Sequence, residues 1–392
     1  MPHAPAMAHW WHRPVSHAHR AQTYLARLLS TAGIHLNGNS PWDIHVHHPA
    51  FYSRLLTGGS LALGESYIDG WWDCGALDQF FTRLFRARLH TLAHRLIPLG
   101  DSLPLILASL WNRQSPHLAP RVAHQHYDLG NDLFLAMLDA RMQYSCAYWT
   151  DAATLDDAQL HKLQLIARKL RLAPGMRVLE LGSGFGGLAH FLASEHQCEV
   201  VSYNISEQQV SFARELCRDL PVRFELADYR HALHEPGPFD RIVSIGFLEH
   251  VGYRNYRACT ELIAAQLAPR GLCLLQTIGA NQSETHTDPW LDRYIFPGGV
   301  LPSLAQIARA CEGLLVLEDL HNLGPHYDRT LLAWHRNFTR AWPSLQFNYN
   351  DRFFRMWTYY LLSSAAAFRA RTQQLWQLVL SHGDLPGYPR VS

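Results

Sequence analysis

The stretch Val178-Leu179-Glu180-Leu181-Gly182-Ser183-Gly184-Phe185-Gly186-Gly187 decides the fold. A short apolar run that ends in closely spaced glycines lets a strand turn sharply into a helix, with backbone free to lie against a ligand at the helix N-terminus. The run satisfies both G-x-G-x-G and the dinucleotide pattern G-x-G-x-x-G, so the glycines alone do not identify the ligand. Their surroundings do. A dinucleotide site requires an acidic side chain about 20 residues further on, at the end of the second strand. That place holds the neutral pair Tyr203-Asn204. Glu180 stands just before the glycines, where a carboxylate can pair with an amino-acid-like ammonium. Asp228, within Ala227-Asp228-Tyr229 after the third strand, suits an adenine amine. The pattern points to a nucleoside that carries an amino-acid end.

Outward from the loop, Leu160, Leu163, Ile166 and Leu170 recur at helical spacing over 157–171. Strands are expected at 177–181, 198–203, 222–226, 240–246, 271–277, 314–319 and 329–335, with helices between most of them, such as 206–218. This alternation predicts an α/β fold, a doubly wound sheet with helices on both faces. Only a loop with Gly324-Pro325 separates the last two strands, so they are expected to form an antiparallel hairpin at one edge. A long helix over 349–380 would bury Phe354, Trp357, Leu361, Ala365 and Phe368 on one face. Residues 1–30 read as a frayed, His/Ala-rich N-terminus. A small, mainly helical N-terminal domain follows over 31–95, with Trp71, Trp72, Phe80, Phe81, Leu84 and Phe85 as its core. Residues 96–120, punctuated by prolines, read as a linker, and 121–392 as the catalytic domain.

Composition narrows the function classes. Of 392 residues, 48% are hydrophobic and 17% charged, which marks a globular chain. Thirty-four Lys+Arg against 33 Asp+Glu leave no basic footprint for nucleic acid. The 25 histidines would make the protein more basic below about pH 6.5, which favours an anionic surface. Seven dispersed cysteines without a C-x-x-C pair argue against a zinc ribbon or disulfide framework and for a reducing, cytoplasmic setting. No apolar run approaches the roughly 18–20 residues that span a bilayer, and the N-terminus lacks a signal peptide's apolar core. His124, His126 and Asp128 lack a fourth metal ligand at suitable spacing, so no metal site is expected. Cys146 has no basic neighbour in sequence to activate it as a nucleophile.

The glycine loop, Glu180 and Asp228 resemble those of class I S-adenosylmethionine (SAM) methyltransferases. Longer blocks carry a narrower resemblance: HYDLGNDLFLAML (126–138), MQYSCAYW (142–149), GFLEHVGYRNY (246–256), DPWLDRYIFPGGVLPS (288–303), EDLHNLGPHYDRTLLAW (318–334) and MWTYYLLSSAAAFRAR (356–371). From about residue 40 to 380 the chain resembles the cyclopropane-fatty-acyl-phospholipid synthase family, in its bacterial long form with an extra N-terminal domain. The resemblance implies transfer of the SAM methyl group to a cis double bond of a phospholipid acyl chain. A carbocation forms, the new methyl loses a proton, and the ring closes. It further implies a bound bicarbonate as base, caged by Cys146 and Ile278 through backbone groups and by Glu249, Tyr327 and Gln276. SAM contacts carried over are Tyr144, Ser145, Gly182, Ser183, Gly184, Phe185, Gly186, Asn204, Ser206, Gln209 and Asp228, beside Glu180. Phe247, Tyr294 and Phe296, with Trp290 and Tyr148, are candidates to line the acyl channel.

Two positions depart from the family pattern. Gln276 stands where LLQTIG (274–279) more usually has a histidine, and Ser364 where many relatives have a cysteine. A glutamine amide can donate to an anion but carries no proton that titrates near neutral pH. The cation could therefore end as a methyl-branched, methylene or hydroxylated chain, or the protein could bind SAM and lipid with little catalysis. The resemblance also implies a cytoplasmic protein associated peripherally with the inner face of the cell membrane, transient contact with phospholipid, and a homodimer.

Overall fold

A computed structural model describes residues 17–89 and 130–391. The linker assigned to 96–120 and the His126-Tyr127-Asp128 block lie outside the described residues. The chain begins with α1 (His17–Ser30), which buries Ala21, Leu25 and Leu29 at four-residue intervals. Residues 17–30, expected as part of a frayed end, are thus helical, because that spacing places one apolar face against the core. A two-stranded ribbon, β1 (Ile44–Val46) with β2 (Trp72–Cys74), brackets α2 (Phe51–Ile68), and α3 (Leu77–Arg86) follows.

The second region runs α4 (Asn131–Met137), α5 (Leu155–Leu170), β3 (Arg177–Leu181), α6 (Gly187–His196), β4 (Glu199–Asn204), α7 (Glu207–Leu216), β5 (Val222–Leu226) and β6 (Phe239–Ile245). It continues with α8 (Leu248–Val251), α9 (Tyr256–Gln266), β7 (Leu267–Ala280), α10 (Pro289–Tyr294) and α11 (Leu304–Cys311). It closes with β8 (Val316–Asn322), α12 (Gly324–Leu345), α13 (Asp351–Arg369) and β9 (Gln373–Ser381). The sheet order is β5-β4-β3-β6-β7-β9-β8, with β9 antiparallel to both its neighbours. The strand order reverses beside β3, which places a crevice at the carboxyl ends of β3 and β6.

The antiparallel edge exists, but its strands are β8 and β9, separated by two helices. Residues 329–335, expected as a strand, lie inside α12. Tyr327, Thr330, Leu331, Trp334 and Phe338 are buried there at three- and four-residue spacing. A short apolar run such as Leu331-Leu332-Ala333-Trp334 fits either element, and the longer period decides. The helix expected over 349–380 ends at Arg369. Arg371, at φ 61°, breaks the helical path, and the chain enters β9. Because β9 is covered on both faces it shows no polar–apolar alternation.

The N-terminal unit does not bury its aromatics by itself. Trp72 lies 5.4 Å from Phe80, while Tyr67 and Phe81 meet Tyr359 of α13 at 5.7 and 5.1 Å. Arg369 donates to Asp328 of its own region and to Asp78 of α3, and Arg355 donates to Asp73 and to the carbonyls of Tyr67 and Trp72. Gly64 of α2 packs on Trp290 so closely that a Cβ there would sit 2.3 Å from the indole. Gly64→Ala should therefore cost about 1–3 kcal/mol through overpacking. In urea the midpoint should fall at an unchanged slope, whereas an unmoved midpoint would show that Trp290 yields freely.

Candidate active site

The loop after β3 turns through three glycines with positive φ, Gly182 (91°), Gly184 (51°) and Gly186 (82°). A side chain at Gly182 would approach Phe247 to 3.1 Å and one at Gly186 would strike Ala213 at 2.6 Å, so both the backbone path and the packing demand glycine. The turn opens a cavity lined by Tyr144, Ser145, Glu180, Gly182, Ser183, Gly184, Phe185, Asn204, Gln209, Asp228 and Phe247 among others. Gly186 lies one step behind this lining, before α6, and Ser206 caps α7, accepting from the Gln209 amide at 3.4 Å. Asn204 braces the loop, since its Nδ2 donates to Gln209 Oε1 at 2.9 Å and Ser183 Oγ at 3.0 Å. Arg230 donates to Asp228 at 2.8 Å and fixes its carboxylate.

Glu180 is 2% exposed and accepts from Ser202 Oγ at 2.6 Å. Burial pushes its pKa up to about 7, against the pull of that hydrogen bond and of Lys162. Lys162, on α5, is itself fully buried, and its Nζ donates to Gln143 Oε1 and to Ser145 Oγ, the latter at 3.1 Å. The apolar spacing of 157–171 conceals this lysine. A cation within an amphipathic helix pattern reads as its solvent face, and only the tertiary packing shows Lys162 turned inward.

Glu249 lies in α8, at the carboxyl end of β6. Its Oε1 accepts from the Ile278 amide at 2.6 Å, while Oε2 is buried with no hydrogen-bond partner among the described residues. Burial pushes its pKa up to about 7. Gln276 and Ile278 are two residues apart on β7 and share a face. Gln377 of β9, directly opposite Gln276, donates to Gln276 Oε1 at 2.9 Å. This leaves the Gln276 Nε2 without a partner among the described residues. Gln377 is a second residue hidden from sequence reasoning, because its strand was read as helix.

Cys146 is fully buried, and burial pushes its thiol pKa far up, so a thiolate there is disfavoured. Thr330 of α12 accepts from Ala147 N at 3.1 Å and from Trp149 Nε1 at 2.9 Å, which brings the Cys146 segment against the helix that carries Tyr327. The Tyr327 ring packs 4.6 Å from Phe368. Ile278, Cys146 and Tyr327 belong to one apolar cluster. His250 lines the cofactor cavity, and burial lowers its pKa to about 4, so it is uncharged at neutral pH. Phe296 lies 5.9 Å from His250 and 5.7 Å from Tyr360. Tyr294 donates to Glu65 of α2 at 3.1 Å, and Trp290 is core, its ring 4.5 Å from that of Tyr359 and tilted against it. Tyr148 packs against His326 at 4.9 Å.

The raised pKa of Glu249 has a consequence for stability. Its folded-state value lies above the ordinary carboxyl value of 4.5, so the native state holds the proton more tightly than the unfolded chain. The penalty for burying the charge is small at low pH, grows between pH 4.5 and 7, and is complete above that. Glu249→Gln should gain roughly 2–3 kcal/mol relative to wild type between pH 5 and pH 8. Denaturant melts at both pH values measure this, and a pH-independent difference would contradict a buried, raised carboxyl.

A profile of the mycolic acid cyclopropane synthetase family matches residues 114–378. Cyclopropane-fatty-acyl-phospholipid synthase of Escherichia coli (strain K12) is 51% identical over 357 residues, spanning 91% of this chain and 92% of that protein. Tuberculostearic acid methyltransferase UfaA1 of Mycobacterium tuberculosis is 32% identical over 359 residues, 86% of this chain and 83% of its own. Among solved structures, mycolic acid cyclopropane synthase CmaA1 complexed with SAH and CTAB is similar with a TM-score of 0.61 at 28% identity. That similarity covers 67% of this chain and 97% of the other.

Proposed function

Because the chain belongs to the mycolic acid cyclopropane synthetase family, we propose that it transfers the methyl group of SAM to the cis double bond of a phospholipid acyl chain and closes a cyclopropane ring. The near-full-length similarity to a bacterial synthase with that product in its name carries the reading. The geometry agrees with it. Glu180 meets the amino-acid end of SAM and Asp228 the adenine, while the glycine loop holds the backbone between them.

The residues around Glu249 fit a small anion. Among the described residues Glu249 Oε2 is buried without a partner, and the Gln276 amide nitrogen has no acceptor once Gln377 has engaged its oxygen. A carboxyl whose pKa is near 7 can donate from Oε2, so both groups can face an anion as donors. Bicarbonate held there by Glu249, Gln276, Tyr327 and the backbone at Cys146 and Ile278 would supply the base for the proton that leaves the transferred methyl. The surrounding side chains exclude water, which would trap a cation as an alcohol. Phe247, Phe296 and Tyr294 are proposed to flank the acyl chain, where ring faces stabilise positive charge.

Gln276 favours a second reading within the same class. Lacking a titratable ring, the site could let the cation lose a proton from a neighbouring chain carbon instead and leave as a methyl-branched alkene; one relative carries the name tuberculostearic acid methyltransferase. Among the described residues no helix is long and apolar enough to cross a membrane. By its resemblance to the phospholipid synthases, the protein is proposed to reach its phospholipid peripherally, from the cytoplasmic side, as a homodimer.

Mass spectrometry of acyl chains tests both readings. Full-length protein, methyl-deuterated SAM and vesicles of cis-monounsaturated phospholipid should yield a cyclopropane that keeps two of the three label atoms. An unsaturated methyl-branched product, formed when the cation loses a proton from a neighbouring chain carbon, would favour the second reading, and no labelled lipid would refute both. Glu249→Gln should lower turnover by about 10²-fold or more while S-adenosylhomocysteine binding persists; full activity would remove Glu249 from the mechanism. Gln276→His should raise activity or narrow the product distribution, and an unchanged rate with unchanged products would show that either donor serves.

A further inference from the structure

Lys162 is a buried cation with no counter-ion beside it. Both side chains it touches, Gln143 and Ser145, are neutral. No carboxylate of the described residues lies within ion-pair distance of it. Asp139, Glu180 and the Cys146 thiol are the titratable groups that face it, and they act from further away. Left so, the charge is unfavourable, and burial lowers the lysine pKa to about 8. Its two partners are not arbitrary core residues. Gln143 and Ser145 both line the cofactor cavity, as does Glu180.

Serine has one hydroxyl hydrogen and two acceptor lone pairs. Lys162 occupies a lone pair of Ser145, and the hydroxyl hydrogen has no acceptor among the described residues. We propose that Lys162 is a positioning residue for the cofactor's amino-acid end: it fixes Ser145 so that the hydroxyl donates into the cavity to the cofactor carboxylate, while Glu180 takes the ammonium. The inference rests on SAM being the ligand of this cavity. A bound zwitterion then compensates both buried charges at once. Without it, desolvation drives Lys162 and Glu180 towards their neutral forms.

Two ligands separate this role from a structural one. S-Adenosylhomocysteine carries the amino-acid end, and 5′-methylthioadenosine lacks it. Calorimetric titration of the full-length protein should show Lys162→Met weakening S-adenosylhomocysteine by about tenfold or more, the loss of a charge-assisted contact. Binding of 5′-methylthioadenosine should stay within about twofold. Ser145→Ala should show the same selectivity, and the double variant should be no weaker than Lys162→Met alone, since the lysine acts through the serine. Should Lys162→Met not fold, Ser145→Ala carries the comparison. Equal losses for the two ligands, or none, would overturn the proposal. Wild-type protein that binds neither ligand would overturn the SAM reading beneath it.

Discussion

The pairing of β9 between β7 and β8 is the constraint on which the rest of the arrangement depends. On the β7 side it runs without interruption from Cys273 opposite Leu380 to Ala280 opposite Gln373, and on the β8 side the register shifts once, between Leu317 and Asp319. To deliver a strand into that slot, the chain must leave β8 at one edge, fold α12 and α13 back over the sheet, and return antiparallel. The two helices therefore lie where they can cover the carboxyl end of β7. Tyr327 and Thr330 come from the first of them and Tyr359 and Tyr360 from the second. The same strand provides Gln377, which orients Gln276. One topological choice thus fixes a wall of the candidate site, the support of an unusual side chain, and the seat of the N-terminal unit.

The glycine-loop half of the candidate site is legible in the sequence because its geometry is local. Glu180, the glycines and Asn204 sit at strand ends whose positions follow from short-range pattern. What stayed hidden is non-local. Lys162 looks like the polar face of a helix, and only burial against Gln143 and Ser145 gives it another meaning. The apolar run near 331–334 was ambiguous between strand and helix. The doubly covered β9 lost the alternation that would have marked it. Gln377 went unnoticed for that reason, since its significance comes from lying opposite Gln276 across two strands. Trp290 carried an aromatic signal that could belong to a channel or a core, and its contact with Gly64 and Tyr359 puts it in the core.

Three ionisable side chains, Glu180, Glu249 and Lys162, are withdrawn from water at the active end of the sheet, and each is pushed towards its neutral form. Such placements oppose folding, and they are the positions where a sequence under no functional demand would carry apolar residues. Among the described residues, Glu249 keeps an unpaired carboxylate oxygen, Lys162 is held only by neutral oxygens, and the amide nitrogen of nearby Gln276 has nothing to donate to. The proposed ligands, both small and charged, would supply what these groups lack.

The close fit of Gly64 on Trp290 has a consequence for descent. A lineage that discarded residues 17–89 would leave the indole of Trp290 and the ring of Tyr359 without their cover, so deletion alone would leave a chain with exposed aromatic surface. In this chain the side chains at positions 64, 290 and 359 are therefore fitted to one another, and a change at any of them is felt on both sides of the contact.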